Sequence, residues 1–271
     1  MAGRDLESTA KAIVAKGKGI LAADESLPTI KKRFDTINVE SSESNRRAYR
    51  QLLFTTPRIS EFISGVILFD ETIRQKADDG TPFVQVLQRQ GVLPGIKVDK
   101  GAKLLAGAAG EKITEGLDGL RDRLTEYREL GAHFTKWRAV ITIGEGIPTR
   151  YCIDTNAHAL ARYAALSQEA GLVPIVEPEV LADGDHSIDR CFEVNEATLR
   201  EVFYQLAQQG VVLEGCLLKP SMVLSGLSAA NRAGPEEVAE KTIACFKRVV
   251  PGPVPGVVFL SGGQTDKEAT I

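Results

Sequence analysis

Lys219 closes the run Gly215-Cys216-Leu217-Leu218-Lys219-Pro220-Ser221, a small and apolar stretch of strand length bounded by Gly and Pro. Most lysines end in solvent, and a lone one here would be read as snorkelling to the surface. A cation ending a buried strand needs partners or a task. One task is covalent: a lysine in a low-dielectric pocket near a second cation can attack a carbonyl as a neutral amine. The pattern recurs along the chain. Lys97 and Asp99, Lys136 and Arg138, and Glu177 and Glu179 are each two apart on apolar strands, and Asp24 closes another such strand. Side chains two apart on a strand share a face. If those faces point to one place, lysines, an arginine and carboxylates meet in a cup, and ionisable groups gathered in a cleft mark a candidate site. The chemistry such a cup supports passes through a Schiff base. Lys219 is its nucleophile, Lys136 its neighbouring cation, Glu177 and Glu179 its proton carriers, and Asp24 a base for a substrate hydroxyl.

The elements that must position these groups alternate. Apolar strand-like stretches cover 19–25, 65–70, 95–100, 134–143, 173–179, 215–221 and 256–263. Helical periodicity covers 6–15, 45–54, 83–90, 117–130, 156–170, 196–209 and 235–249. Strands apolar throughout, alternating with helices, predict a parallel sheet covered by helices. The Gly-rich dinucleotide fingerprint is missing after the first strand. Polar groups end nearly every strand, which favours an α/β fold of the (β/α)8 TIM-barrel type with its site at the C-terminal rim. Seven strands are found where a barrel needs eight. The expectation is a single TIM-barrel domain over residues 1–271, incomplete at its C-terminus.

Composition narrows the class. Of 271 residues, 43% are hydrophobic and 25% charged, with a formal net charge of -3, as in ordinary globular proteins. No basic stripe or aromatic-basic cluster suggests nucleic acid, so no nucleic-acid partner is expected. No apolar run has the length of a membrane span, and the N-terminus lacks the apolar core of a signal peptide, so no membrane partner is expected either. The four cysteines are scattered, which makes a reduced cytoplasmic setting the expectation. Ser261-Gly262-Gly263 is a small-residue turn after the seventh strand, where this fold often holds phosphate, although such turns are common.

Six motifs then stand in one order: Gly17 to Ser26 (GKGILAADES), Gly95 to Gly101 (GIKVDKG), Lys136-Trp137-Arg138, Val173 to Glu179 (VPIVEPE), Leu217 to Pro220 (LLKP) and Phe259 to Gln264 (FLSGGQ). From about Lys16 onward the chain closely resembles the class I fructose-bisphosphate aldolases. The resemblance implies that Lys219 forms the Schiff base, Glu177 shuttles protons with Glu179 beside it, and Asp24 acts in carbon–carbon cleavage with Lys136 nearby. It implies that Ser261, Gly262 and Gly263 hold the phosphate next to the keto carbon, and that Arg33, Arg46, Lys97 and Arg138 are basic residues around the substrate. The family cleaves fructose 1,6-bisphosphate reversibly to dihydroxyacetone phosphate and glyceraldehyde 3-phosphate in glycolysis and gluconeogenesis. It needs no cofactor or metal and is usually a cytoplasmic homotetramer. Two departures are visible. Leu27-Pro28-Thr29 stands where the family often has a serine-bearing turn, and the family's eighth strand with its phosphate-binding arginine is not in these residues.

Other readings are weaker. A metal-dependent aldolase needs convergent histidines, whereas His133, His158 and His186 are scattered, and Asp183-Gly184-Asp185-His186 reads as a polar loop. A Schiff-base lyase for another sugar phosphate fits the chemistry but not the motif set. A non-catalytic fragment acting in binding or assembly is the reading from a different class.

Overall fold

The computed structural model describes residues 2–270. Six strands form one parallel sheet in the order β1 (Gly19–Ala23), β2 (Ile63–Leu68), β3 (Leu93–Lys97), β6 (Phe134–Ile141), β7 (Val173–Val180) and β8 (Leu217–Leu218). Between β3 and β6 the chain makes a short antiparallel hairpin of β4 (Ala102–Leu104) and β5 (Lys112–Thr114), in a stretch for which the sequence predicts no strand. Helices α1 (Ala2–Ile13), α2 (Leu27–Asp35), α3 (Glu43–Phe54), α4 (Asp70–Ile73), α5 (Phe83–Arg89), α6 (Leu120–Glu129), α7 (Arg150–Glu169), α8 (Ile188–Gln208), α9 (Pro235–Val249) and α10 (Asp266–Thr270) complete the order. Two helices begin earlier than their apolar periodicity. The Thr149 and Ser187 side chains accept the Cys152 and Arg190 backbone N–H groups and start α7 and α8 there.

The inward face of the sheet is graded. Near the N-terminal ends Ile67, Phe134, Val173, Ile175 and Leu217 form one buried apolar cluster, closed from below by Leu6, Ala10 and Ile13 of α1. Two residues further along the same strand faces the residues are charged: Lys136 follows Phe134, Glu177 follows Ile175 and Lys219 follows Leu217. Parallel register aligns them, with Lys97 beside Lys136 and Arg138 beside Glu177. An apolar floor therefore carries an ionic rim, as a barrel active site requires. The outward residues Trp137, Ala139, Val176 and Val180 join the larger core beneath the helices. Phe134 fills the floor because Gly65 and Gly95 make room for it, and a Cβ at Gly95 would lie 2.2 Å from the ring.

The last two expected strands are reduced. Only Leu217 and Leu218 pair with β7, since Pro220 ends the ladder. The stretch 256–263 touches the sheet at a single parallel bridge, Leu218 with Val257. Six strands and one bridge thus stand where seven strands were expected, and β1 is an edge strand. Among the described residues, no helix is long and apolar enough to cross a membrane.

Candidate active site

The charged rim is one connected chain of ion pairs. The Glu177 side chain is 2% exposed, and its two oxygens face two ammonium groups. Oε1 accepts from Lys219 Nζ, and Oε2 lies 2.8 Å from Lys136 Nζ. Lys136 also donates to Asp24 at 3.1 Å. Asp24 and Lys219 directly follow β1 and β8, Lys136 and Glu177 lie within β6 and β7, and β8 is held in place by the Lys219 backbone N–H donating to the Val176 carbonyl. Burial pulls the Lys136 ammonium down, but the carboxylates of Asp24 and Glu177 together outweigh it and hold Lys136 above the usual lysine range. Lys136 is therefore a fixed cation between two carboxylates.

Around this chain lies a cavity of about 350 Å³, lined among others by Asp24, Arg33, Lys97, Lys136, Arg138 and Glu177. Arg138 pairs with Glu179, so that carboxylate is already engaged at the rim. Lys219 lines a neighbouring cleft of about 430 Å³ with Gly19, Ala22, Val257 and Leu260, in the gap between β1 and the bridged stretch. A larger cavity of about 580 Å³ shares Lys97 and Asp99 with the cup. There Arg74 is paired with Asp70 and Glu126, and Tyr127 donates to Asp70, so much of its polar lining is already engaged.

Most of the expected site residues come together here; Arg46 does not, and the Ser261-Gly262-Gly263 turn borders the neighbouring cleft. Arg46, on α3, makes a two-point pair with Glu71 and donates to the Ser41 carbonyl, so it is committed away from the cup. The arginine of α3 that faces the cup's wall is Arg50, paired with Glu25 at 2.9 Å. The turn Ser261-Gly262-Gly263 has positive φ at both glycines, +61° and +88°, and packs against Leu224 and Leu227, one residue beyond Leu260 of the Lys219 cleft. Thr29 lines the cup and its hydroxyl lies 3.0 Å from that of Ser26.

Three residues gain roles that motif reading did not give them. Asp99 lies 3.2 Å from Lys97 and accepts the Arg138 and Gly101 backbone N–H groups, tying β3 to β6 at the rim. Its position two after Lys97 was the available signal. Glu25 and Arg50 form a buried pair behind Arg33, and no spacing in the sequence links them.

Parallel strands that deliver lysines and carboxylates to one rim define an enzyme of the β/α-barrel class. Comparison with known proteins makes the assignment specific. A family model described as fructose-bisphosphate aldolase class-I matches residues 5–271. A probable fructose-bisphosphate aldolase class 1 from Xanthomonas campestris pv. campestris is 62% identical over 270 residues, covering 100% of this chain and 81% of that protein. Cytosolic fructose-bisphosphate aldolase 6 of Arabidopsis thaliana is 56% identical over 266 residues, 98% of this chain and 74% of that one. The fructose-bisphosphate aldolase of Plasmodium falciparum, solved with TRAP and a small-molecule inhibitor, superposes with a TM-score of 0.98 at 49% identity, over 99% of this chain and 78% of that one. The chain belongs to the class I fructose-bisphosphate aldolase family, and its chemistry is that of a lyase.

Proposed function

We propose that Lys219 is the Schiff-base lysine of this aldolase and that it acts on fructose 1,6-bisphosphate. The observation that carries the assignment is the shared carboxylate, Glu177 between Lys219 and Lys136. Glu177, in contact with Nζ, takes a proton from Lys219, and the amine so freed adds to the ketose carbonyl; the proton then passes to the carbinolamine hydroxyl, which leaves as water. Asp24 takes the proton of the hydroxyl on the carbon beyond the scissile bond. That bond breaks, its electron pair enters the iminium to give an enamine, and the aldehyde departs. Protonation and hydrolysis of the enamine release the ketone and restore Lys219. Lys136, donating to Asp24, keeps that carboxylate within reach. Glu179 stands beside Glu177 as the second carboxylate. Arg33, Lys97 and Arg138 face the phosphorylated sugar from the cup wall, and Ser261, Gly262 and Gly263 hold the phosphate nearest the keto carbon.

The same reading takes residues 1–271 as one domain and the enzyme as a cytoplasmic homotetramer. The family resemblance supports the tetramer. The cytosolic names of the Arabidopsis relatives support the location.

Borohydride trapping with fructose 1,6-bisphosphate, followed by intact mass and peptide mapping, tests the assignment. An EDTA-resistant adduct on Lys219, lost in Lys219→Met, is the expected result. A folded chain that gives no adduct, or gives one on Lys136, overturns it.

A further inference from the structure

Arg50 is the most anomalous side chain outside the ion chain. It sits on α3 one turn after Arg46, with its side chain 3% exposed. Its Nη2 lies 2.9 Å from a Glu25 oxygen and 3.4 Å from the Glu25 carbonyl, while Nε and Nη1 have no hydrogen-bond partner. The guanidinium also stands 5.3 Å from the centre of the Tyr49 ring, which packs edge-on against Phe34 of α2. A buried guanidinium with idle donors is costly, and a packed hydrophobe would serve stability as well. The arrangement therefore calls for a reason other than packing.

That reason lies on the far side of Glu25. The Glu25 carboxylate is itself 6% exposed. It meets Arg50 through Oε2 and Arg33 through Oε1, the latter at 2.7 Å. Arg33 is 60% exposed and lines the cup, and among the described residues Glu25 is its ion-pair partner. Glu25 also follows Asp24 directly in the chain. We infer that Arg50 is a positioning residue: by holding the Glu25 carboxylate aimed, it fixes Arg33 against the cup wall for the anionic substrate. The inference rests on the reading that Arg33 contacts the substrate. Arg33 on an unfixed Glu25 would have to lose side-chain freedom on every binding event.

A double-mutant cycle tests this in the full chain. Arg33→Ala should raise KM for fructose 1,6-bisphosphate about tenfold, the size of one charge-assisted contact, with a smaller change in kcat. Arg50→Met keeps length and removes charge, and should raise KM by a similar factor while borohydride trapping on Lys219 persists. The double variant should be no worse than either single one. Arg50→Lys should recover part of the lost affinity. If Arg50→Met is folded with unchanged KM, or if the two effects multiply, Arg50 does not act through Arg33 and the inference fails. If Arg33→Ala itself leaves KM unchanged, the reading of Arg33 fails instead. Should Arg50→Met not fold, the cycle is run with Arg50→Lys, and multiplicative effects there overturn the inference.

Discussion

Glu177 has two ammonium neighbours on opposite oxygens, so removing its charge disturbs both. Glu177→Gln should lower kcat by about 10²–10⁴-fold, the usual range for a positioned acid–base group. The fraction of Lys219 trapped by borohydride at equilibrium should fall far less. Lys136 makes a separate prediction. Its folded pKa is raised above the ordinary value of 10.5. The stability it adds is then fully present below that pH and is lost as pH rises through the folded value. The difference in unfolding free energy between wild type and Lys136→Gln should stay flat from neutral pH to about 10.5 and shrink above it; a difference that shrinks from pH 8 upward would refute the assignment. The thiols behave alike: all four cysteines are free and buried, and burial pushes Cys216 and Cys245 up to about 12. Alkylation of the native protein at pH 8 should be negligible and should become complete on unfolding. Lys219, Glu177, Lys136 and Asp24 could be found from the sequence because strand periodicity and strand ends fix where they point. The choice between Arg46 and Arg50 could not. They share one helix face four residues apart, and only the tertiary placement of Glu71 and Glu25 tells which faces the cup.

The elements that hold the rim depend on one aromatic ring and the glycines above it. Gly95→Ala would bring a methyl group to 2.2 Å from Phe134. Overpacking of this kind costs about 1–3 kcal/mol or more. The expected result is a lower denaturation midpoint, with part of the loss recovered in Gly95→Ala/Phe134→Leu because the two sites couple. The long strands and helices were legible because apolar runs and 3.6-residue periodicity dominate them. Others were not. The β4–β5 hairpin has three-residue strands, and Ala102–Leu104 is exposed along its length, so no alternation betrays it. Helix α2 opens on Leu27-Pro28 with no side-chain cap from Ser26, and its sequence reads as a turn. The stretch 256–263 has strand composition, but it meets the sheet only at its bridge to Leu218, so composition alone overstates its pairing.

At the scale of the whole molecule, stability and chemistry sit at opposite ends of the sheet. Leu6 of α1 is 5% exposed and seals the apolar floor. Leu6→Ala should cost about 2–5 kcal/mol of stability yet leave KM and kcat unchanged at temperatures where the protein is folded. A change in kcat comparable to that of a rim variant would mean that floor and rim are not independent. The six strands trace an arc whose first member carries Asp24 and whose last carries Lys219. From Asp24 to Lys136 the ion pair skips β2 and β3, and from there the contacts run through Glu177 to Lys219. The charges thus form a chord across the arc. A chord lengthens whenever its arc flattens, so the spacing of these charges is set by how the strands curve round them.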